Sequence, residues 1–218
     1  MTLAIFDLDN TLLAGDSDHA WGEFLVEEGI VDADDYRKMN DEFYQAYLDG
    51  SLDIRRYLSF ALQPLAQFEL AQLHQWRAQF VERKIRPMLQ TKAFDLLAHH
   101  REQNHTLLII TATNQFVTEP VAALLSIEHL IATEPEMING RYTGNVAGTP
   151  SFQDGKVHRL HDWLDFQSET LDGAWFYSDS HNDLPLLERV ANPVAVDPDA
   201  RLADIARSKG WQTISLRD

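Results

Sequence analysis

The sequence contains no cysteine among its 218 residues. This absence excludes disulfide bonds, thiolate nucleophiles and zinc sites built on thiolates. No run of residues approaches the roughly 20 apolar positions that a membrane-spanning helix needs. The opening residues, MTLAIFD, have no basic region and only a short apolar stretch, so we expect no signal peptide. These absences predict a cytoplasmic protein that does not act at a membrane.

Positive charge is also scarce. Lys and Arg total 18, whereas Asp and Glu total 34, which gives a formal net charge of −16. A chain of this sign repels the phosphates of nucleic acids and of anionic membranes, so we expect no nucleic-acid partner. Apolar residues make up 44% of the chain and charged residues only 24%, a composition that predicts a folded core rather than disorder.

Four short apolar segments predict buried strands, and each ends in polar or acidic residues. They span residues 3–9, 106–113, 174–180 and 192–198. Helical periodicity lies between them, as in 92–104 and 156–166. Strands that alternate with helices predict an α/β fold with a parallel sheet whose two faces are covered.

Residues 16–85 break this alternation, because they show amphipathic helical patterning without a strong strand. Helices are predicted at 20–29, 34–50, 52–62 and 69–85. We therefore expect an all-helical insertion over 16–85, after the first strand, and a core formed by 1–15 and 86–218. A hairpin is expected over 136–146, since Asn139-Gly140 is a favoured two-residue turn.

Polar side chains cluster where the predicted strands end, which is where parallel sheets build their sites. They are Asp7, Asp9 and Thr11 after the first strand, Thr111, Thr113 and Asn114 at the second, and Asp179, Asn182 and Asp183 at the third. Lys156 opens a later helix. Carboxylates gathered this closely need a cation, and oxygen ligands without His or Cys favour Mg²⁺.

Four motifs in order resemble those of the haloacid dehalogenase-like phosphatases. DLDNT (7–11) resembles their D-x-D-x-T motif, and LLIIT (107–111) their second motif. Lys156 stands at the position of the third-motif lysine, and DSHND (179–183) resembles the acidic fourth motif. The end of this fourth motif and GRYTG (140–144) are similar to the phosphoserine-phosphatase-like branch. The resemblance implies a Rossmann-like core, a small helical cap and a Mg²⁺-dependent phosphatase.

The resemblance also implies a role for each residue. Asp7 would be the nucleophile that forms an aspartyl-phosphate, and Asp9 the general acid and then the base. Lys156 would offset the charge at the phosphoryl group. The implied metal ligands are Asp7, Asp9 through its backbone carbonyl, Asp179 and Asp183. The residues expected to bind phosphate or substrate are Thr111, Thr113, Asn114 and Asn182 in the core.

Two cap residues, Asp16 and Arg55, are expected to bind the rest of the substrate. They match the phosphoserine pattern only in part, and the segment DSDHAW (16–21) is more similar to histidinol-phosphate phosphatases of this family. Histidinol phosphate, a small amine-bearing phosphomonoester, is the favoured substrate. Phosphoserine is the alternative, since Arg55 could bind its carboxylate.

Other functions and other roles for single segments remain open at the level of sequence. The same residues permit phosphotransfer to an acceptor other than water. A catalytically silent member is disfavoured, because Asp7, Asp9, Lys156 and Asp179 are all present. GTPSFQDGK (148–156) does not match a P-loop, since Gly148 and Gly155 are too far apart and Val157 stands where a P-loop has Ser or Thr. His99, His100 and His105 are expected at a helix end near the surface.

Overall fold

A seven-stranded sheet forms the centre of the computed structural model, which describes residues 2–217. The strands are Thr2–Phe6 (β1), Thr106–Asn114 (β2), His129–Ile138 (β3), Arg141–Ala147 (β4), Thr170–Ser178 (β5), Asn192–Val196 (β6) and Gln212–Ile214 (β7). Their order across the sheet is β4-β3-β2-β1-β5-β6-β7. Neighbouring strands are parallel except β3 and β4, which are antiparallel. The predicted α/β fold class is confirmed.

Helices lie on both sides of this sheet and in the insertion after β1. The insertion contains Ser17–Glu27 (α1), Ala33–Leu48 (α2), Ile54–Ala61 (α3), Gln63–Gln67 (α4) and Leu70–Phe80 (α5). The later helices are Thr91–Glu102 (α6), Gln115–Leu124 (α7), Asp154–Leu164 (α8), Leu184–Leu187 (α9) and Ala200–Lys209 (α10). Within residues 2–217, no helix is long and apolar enough to span a membrane.

The register of the central strands brings their carboxyl ends to one edge. Leu3–Phe6 of β1 pair with Thr106–Ile109 of β2, and Ala4–Phe6 pair with Trp175–Tyr177 of β5. Since all three strands run in parallel, the residues that follow Phe6, Ile110 and Tyr177 emerge side by side. This is the edge at which open α/β sheets hold their functional groups.

The first strand is shorter than the sequence predicts. It ends at Phe6, and Leu8–Leu12 form an irregular tight turn instead of more strand, in which Asp9 is extended with ψ 135°. Asn10 has φ 55°, a left-handed conformation that asparagine tolerates better than most residues. The turn buries Leu8 and Leu12 and leads the chain from the sheet edge into α1.

The predicted hairpin is present, and it extends the sheet further than expected. Asn139 and Gly140 have φ values of 51° and 77°, as a type I′ turn between β3 and β4 requires. Two pieces were not predicted. The first half of β3, His129–Thr133, was missed because Glu134 and Pro135 interrupt the strand pattern that follows it, and β7 is a three-residue edge strand with mostly polar residues.

The core has two layers, one on each face of the sheet. Along β1, Ala4 and Phe6 face one layer, whereas Leu3 and Ile5 face the other, as the two-residue period of a strand requires. The layer that contains Phe6 also contains Trp21, Phe24 and Phe80 from the insertion. The cap helices therefore share a hydrophobic core with the sheet.

His100 lies inside this structure and not at the surface. Only 2% of the residue is exposed, and its Nε2 lies 2.8 Å from the Tyr177 hydroxyl. Its Nδ1 lies 2.8 Å from Nδ1 of His105. Burial, together with His105 and His99, lowers the pKa of His100 to about 4. The surface position expected from the sequence is wrong for this residue, because the end of α6 packs against the sheet.

Candidate active site

Asp7 lies directly after β1 and is fixed from three sides. Its backbone N–H donates to the Tyr177 carbonyl at 2.9 Å, which extends the pairing with β5 by one residue. Lys156 Nζ donates to Asp7 Oδ1 at 2.7 Å, and Thr11 Oγ1, which donates its proton to Asp179, lies 3.4 Å from Asp7 Oδ2. Asp7 is 3% exposed and lines a cavity under the cap. The carboxylate is thus oriented by the end of the sheet.

Lys156 joins two carboxylates from different strands. It lies in the first turn of α8, is 2% exposed, and contacts Asp183 Oδ1 at 2.8 Å as well as Asp7. Ser178 Oγ donates to Asp183 Oδ2 at 2.7 Å. Burial disfavours the lysine charge, but Asp183 and Asp7 outweigh that effect and raise the pKa of Lys156. The lysine therefore stays charged.

Gly155 is needed to place this lysine. A Cβ at Gly155 would lie 2.1 Å from the Pro150 carbonyl oxygen, a distance at which the backbone would have to move. Gln153, the residue immediately before α8, has φ 49° and ψ −122°. This tight turn before α8 directs Lys156, in the first turn of the helix, toward the edge of the sheet.

Thr11 connects Asp7 to a second acidic residue. Its hydroxyl donates to Asp179 Oδ1 at 3.0 Å and accepts from the Asp179 backbone N–H at 3.0 Å. Burial raises the pKa of Asp179 well above its usual range, and the charges on Asp7 and Asp183 raise it further. This group of carboxylates carries more negative charge than its surroundings neutralise.

The donor set and its charge fit a divalent cation. Asp7, Asp179 and Asp183 carry three negative charges when ionised, and Lys156 supplies one positive charge, so two negative charges remain. All three offer carboxylate oxygens, the ligands that Mg²⁺ prefers. In the structure the lysine ammonium and the Thr11 hydroxyl lie between them.

Asp9 lies two residues further on, where the chain turns. Its Oδ1 accepts from the Ser17 backbone N–H at 2.6 Å, and its Oδ2 accepts from Thr113 Oγ1 at 2.7 Å. Burial raises the pKa of Asp9 to about 6, and the charge on Asp16 contributes. A carboxyl group with a pKa close to neutrality can both donate and accept a proton at physiological pH.

Of the polar residues at the end of β2, two line the cavity and one caps a helix. Thr111 and Thr113 line the cavity with Asp7 and Asp9, and the Thr113 backbone N–H donates to Thr111 Oγ1 at 3.2 Å. Asn114 caps α7, since its Oδ1 accepts from the Val117 N–H at 3.2 Å. Its amide also lies 3.4 Å from Asp18.

Asn182 links the core to the cap. Its Oδ1 accepts from Gln153 Nε2 at 3.0 Å, and its Nδ2 donates to the Tyr47 carbonyl in α2 at 3.1 Å. Asn182 is 3% exposed and follows Asp179 by one turn. The side chain is therefore held beside the cluster of carboxylates, with its amide turned toward the cap.

Residues of α1, α2 and α3 in the insertion form the far wall of the cavity. The empty space at this site is about 560 Å³, a figure that includes space open to solvent. Its lining residues are Asp7, Asp9, Asp16, Asp18, His19, Asn40, Phe43, Tyr44, Tyr47, Leu52, Ile54, Tyr57, Thr111, Ala112 and Thr113. Asp16 is among them, as expected of a substrate-binding residue. Its carboxylate also caps α1, accepting from Asp18 N at 3.0 Å and His19 N at 2.8 Å.

Arg55 is not brought to this cavity. It is exposed on α3 and lines a separate groove with Leu58, Asn145 and Pro150, between the cap and the hairpin. The sequence placed it near the substrate through the segment SLDIR alone. The first turn of α3 begins at Ile54, so Ile54 faces the cavity and the next residue points away from it.

Sequence reasoning missed two contributors. Ser178 is a buried hydroxyl in the last position of β5, and nothing in the sequence distinguishes it from an ordinary strand residue. Tyr57 lines the cavity, although its spacing on an amphipathic helix is equally typical of a core position. Burial, and then the charge on Asp18, raises the pKa of Tyr57, which identifies Tyr57 as a neighbour of that carboxylate.

Two comparisons by sequence agree with this geometry. Residues 4–188 match the family model described as haloacid dehalogenase-like hydrolase. The chain is a haloacid dehalogenase-like hydrolase. A curated relative from Neisseria meningitidis serogroup C, named histidinol-phosphatase, is 44% identical to this hydrolase over 219 residues, which cover 99% of each chain.

Solved structures give the same fold. A protein of unknown function from Bordetella pertussis Tohama I superposes on the hydrolase with a TM-score of 0.93 and 42% identity, covering 99% of this chain and 100% of the other. A substrate-bound phosphoserine phosphatase superposes with a TM-score of 0.72, covering 100% of this chain and 94% of that one. At 14% identity the second match concerns the fold alone.

Proposed function

We propose that this hydrolase is a Mg²⁺-dependent phosphatase that acts on a small phosphomonoester through an aspartyl-phosphate on Asp7. The observation that carries the proposal is the placement of Asp7. It is a buried carboxylate at a strand end, held by Lys156 at 2.7 Å, and it lines the same cavity as Asp9. A nucleophile and an acid–base group thus share one cavity.

The first half-reaction follows from these positions. A carboxylate oxygen of Asp7 attacks phosphorus, and the bond from phosphorus to the ester oxygen breaks. The carboxyl group of Asp9 gives its proton to the departing alkoxide, and the pKa of about 6 leaves a useful fraction protonated near neutral pH. The products are the free alcohol and phosphorylated Asp7.

The second half-reaction uses the same groups in reverse. Asp9, now ionised, takes a proton from water, and the resulting hydroxide attacks the phosphorus of the phosphoaspartate. The bond to Asp7 breaks, which releases inorganic phosphate and restores the carboxylate. Lys156 stays beside Asp7 through both halves and offsets the negative charge that gathers there.

Asp7, Asp179, Asp183 and the backbone carbonyl of Asp9 would hold the metal. When bound, Mg²⁺ would lower the electrostatic repulsion between an anionic nucleophile and an anionic phosphate. The side chains of Thr111 and Thr113, which line the cavity, are the proposed phosphate ligands of the core, and Asn114 and Asn182 support the same edge.

We propose histidinol phosphate as the favoured substrate. The support is the 44% identical relative named histidinol-phosphatase, together with the acidic wall that Asp16 and Asp18 add to the cavity. Residues of α1, α2 and α3, within the proposed cap of residues 16–85, line that side of the cavity, and residues 1–15 and 86–218 are the proposed core. A small phosphomonoester substrate suits the cytoplasmic location predicted from the sequence.

Phosphoserine is the less favoured substrate, because its carboxylate would need a cation. Arg55 lines another groove, so we expect Arg55→Ala to leave kcat/KM for histidinol phosphate unchanged. Steady-state kinetics with histidinol phosphate and phosphoserine measure this. If the wild type preferred phosphoserine and Arg55→Ala selectively lost phosphoserine turnover, the substrate assignment would be reversed.

The experiment that tests the proposed function is phosphate release by the purified protein from a panel of small phosphomonoesters. The panel includes histidinol phosphate and phosphoserine, each with Mg²⁺ and with EDTA. We expect release that requires Mg²⁺ and is fastest with histidinol phosphate. Release that EDTA does not affect would contradict the metal site, and equal rates across the panel would contradict the substrate.

A further inference from the structure

The carboxylates that line the cavity, on the core side and on the cap side, all carry charge of one sign. Four of its lining residues are aspartates, namely Asp7, Asp9, Asp16 and Asp18. Among the lining residues of the described chain, 2–217, there is no lysine and no arginine. Lys156 neutralises part of the charge at Asp7, but it lies beneath the cavity and does not line it. A ligand that carries a positive group is therefore favoured on the cap side.

The two cap aspartates, Asp16 and Asp18, differ in their hydrogen-bond partners. Asp16 uses Oδ1 to accept from two backbone N–H groups at the start of α1, so it acts as the helix cap. Asp18 lies in the first turn of the same helix and caps nothing. The Asn114 amide lies 3.4 Å from its Oδ1, and the Tyr57 hydroxyl interacts with the same carboxylate.

The neighbours of Asp18 orient it without neutralising it. Tyr57 and Asn114 are neutral donors, and both favour the ionised carboxylate. Burial nevertheless raises the pKa of Asp18 to about 7, and the charge on Asp9 raises it too. His19, the next residue on the same helix, opposes this rise, and its Nε2 lies within hydrogen-bond distance of Asp41 Oδ1, at 2.9 Å. Tyr36, from α2, faces Asp18 as a neutral group.

Aromatic side chains complete this wall. Phe43, Tyr44 and Tyr57 all line the cavity, and the rings of Phe43 and Tyr57 lie 5.3 Å apart in an edge-to-face arrangement. Aromatic faces attract cations and stack on flat rings. A carboxylate set among such faces is a suitable receptor for an ammonium group attached to a small, partly apolar body.

We propose that Asp18, positioned by Tyr57 and Asn114, is the specificity-determining residue that binds the protonated amine of the substrate. This inference rests on the proposed phosphatase function and names the group that selects its substrate. The ammonium donates hydrogen bonds to the Asp18 carboxylate, while the phosphoryl group of the same molecule lies at Asp7 and Asp9. A substrate with a carboxylate next to its amine is disfavoured, because that carboxylate meets the acidic wall.

The test compares esters with and without an amine. Histidinol phosphate is the amine-bearing substrate, and p-nitrophenyl phosphate has no amine. We expect Asp18→Asn to lower kcat/KM for histidinol phosphate by about 10- to 100-fold, the range for a hydrogen bond to a charged group, mainly through KM. We expect kcat/KM for p-nitrophenyl phosphate to be unchanged. Asp34→Asn, the same change at an exposed position of α2, is the matched control.

Each outcome decides the proposal. Equal losses on both esters would mean that Asp18 supports the fold or the chemistry and would overturn the inference, as would no loss on either. Calorimetric binding of histidinol separates this inference from the proposed function, since histidinol has the amine but no phosphate. If the wild type hydrolysed neither ester, the proposed function would fail, and histidinol binding that Asp18→Asn abolishes would still support amine recognition. Histidinol binding of equal strength in both proteins would contradict it.

Discussion

Asp7→Asn lowers kcat for phosphate release by roughly 10⁴-fold or more, the scale of loss when a covalent nucleophile is removed. Asparagine has the same shape, but its amide does not attack phosphorus. Lys156 keeps Asp183 as a partner, so we expect the fold to survive. Steady-state phosphate release under saturating substrate and Mg²⁺ measures the change.

The control for this prediction is a matched Asp→Asn change at exposed Asp34, which should leave kcat as it is. Circular dichroism and thermal unfolding would establish that the Asp7 variant is folded. A folded Asp7→Asn protein that retained a tenth of wild-type activity would exclude Asp7 as the nucleophile. Slow recovery of activity on storage would indicate deamidation to aspartate, which peptide mass spectrometry detects.

Lys156→Met is the second large effect, and it appears in both stability and activity. The substitution keeps a chain of similar length but leaves Asp7 and Asp183 buried without their shared cation. Removal of one partner from a buried ion pair costs about 3–5 kcal/mol of unfolding free energy. Activity falls as well, because the charge that faces the phosphoryl group is lost. Denaturant unfolding and phosphate release measure the two effects.

The loss of stability should depend on pH in a defined direction. Burial already raises the pKa of Asp7 to about 7 and Lys156 opposes that rise, so without the lysine the pKa of Asp7 in the folded state lies still further above its value in the unfolded chain. The folded state then binds protons more tightly, so the variant recovers stability relative to wild type as pH falls from neutral toward about 5. Lys38→Met, at a lysine whose side chain is 76% exposed, is the control and should show neither effect. A constant deficit across this range would contradict the ion-pair explanation.

The sequence predicted the parts of the fold that depend on local pattern. Apolar runs such as 106–113 have the length and composition of buried strands, and their carboxyl ends must share an edge once they are parallel. The Asn139-Gly140 turn was equally readable, because few residue pairs adopt two successive positive φ values. Asp7, Asp9, Thr111 and Thr113 consequently meet at one cavity, as their positions after strands indicated.

Features that depend on tertiary packing could not be predicted from the sequence. The direction of Arg55 depends on where α3 begins, and a shift of one residue turns a helix by about 100°. His100 is buried because α6 docks on the sheet and supplies the Tyr177 hydroxyl as a partner, which no local pattern encodes. The Thr11 bridge to Asp179 spans 168 positions, and it depends on the tight turn after β1.

The central claim is that Asp7 carries the phosphoryl group during turnover. The most direct test starts the reaction with Mg²⁺ and a substrate that is radiolabelled in its phosphoryl group. Acid stops the reaction during turnover, and peptide mapping then locates the label. We expect acid-stable label on the peptide that contains Asp7, its release by hydroxylamine as for an acyl phosphate, and no label on Asp7→Asn. Label on a histidine-containing peptide elsewhere, or rapid turnover with Asp7 never labelled, would contradict the account.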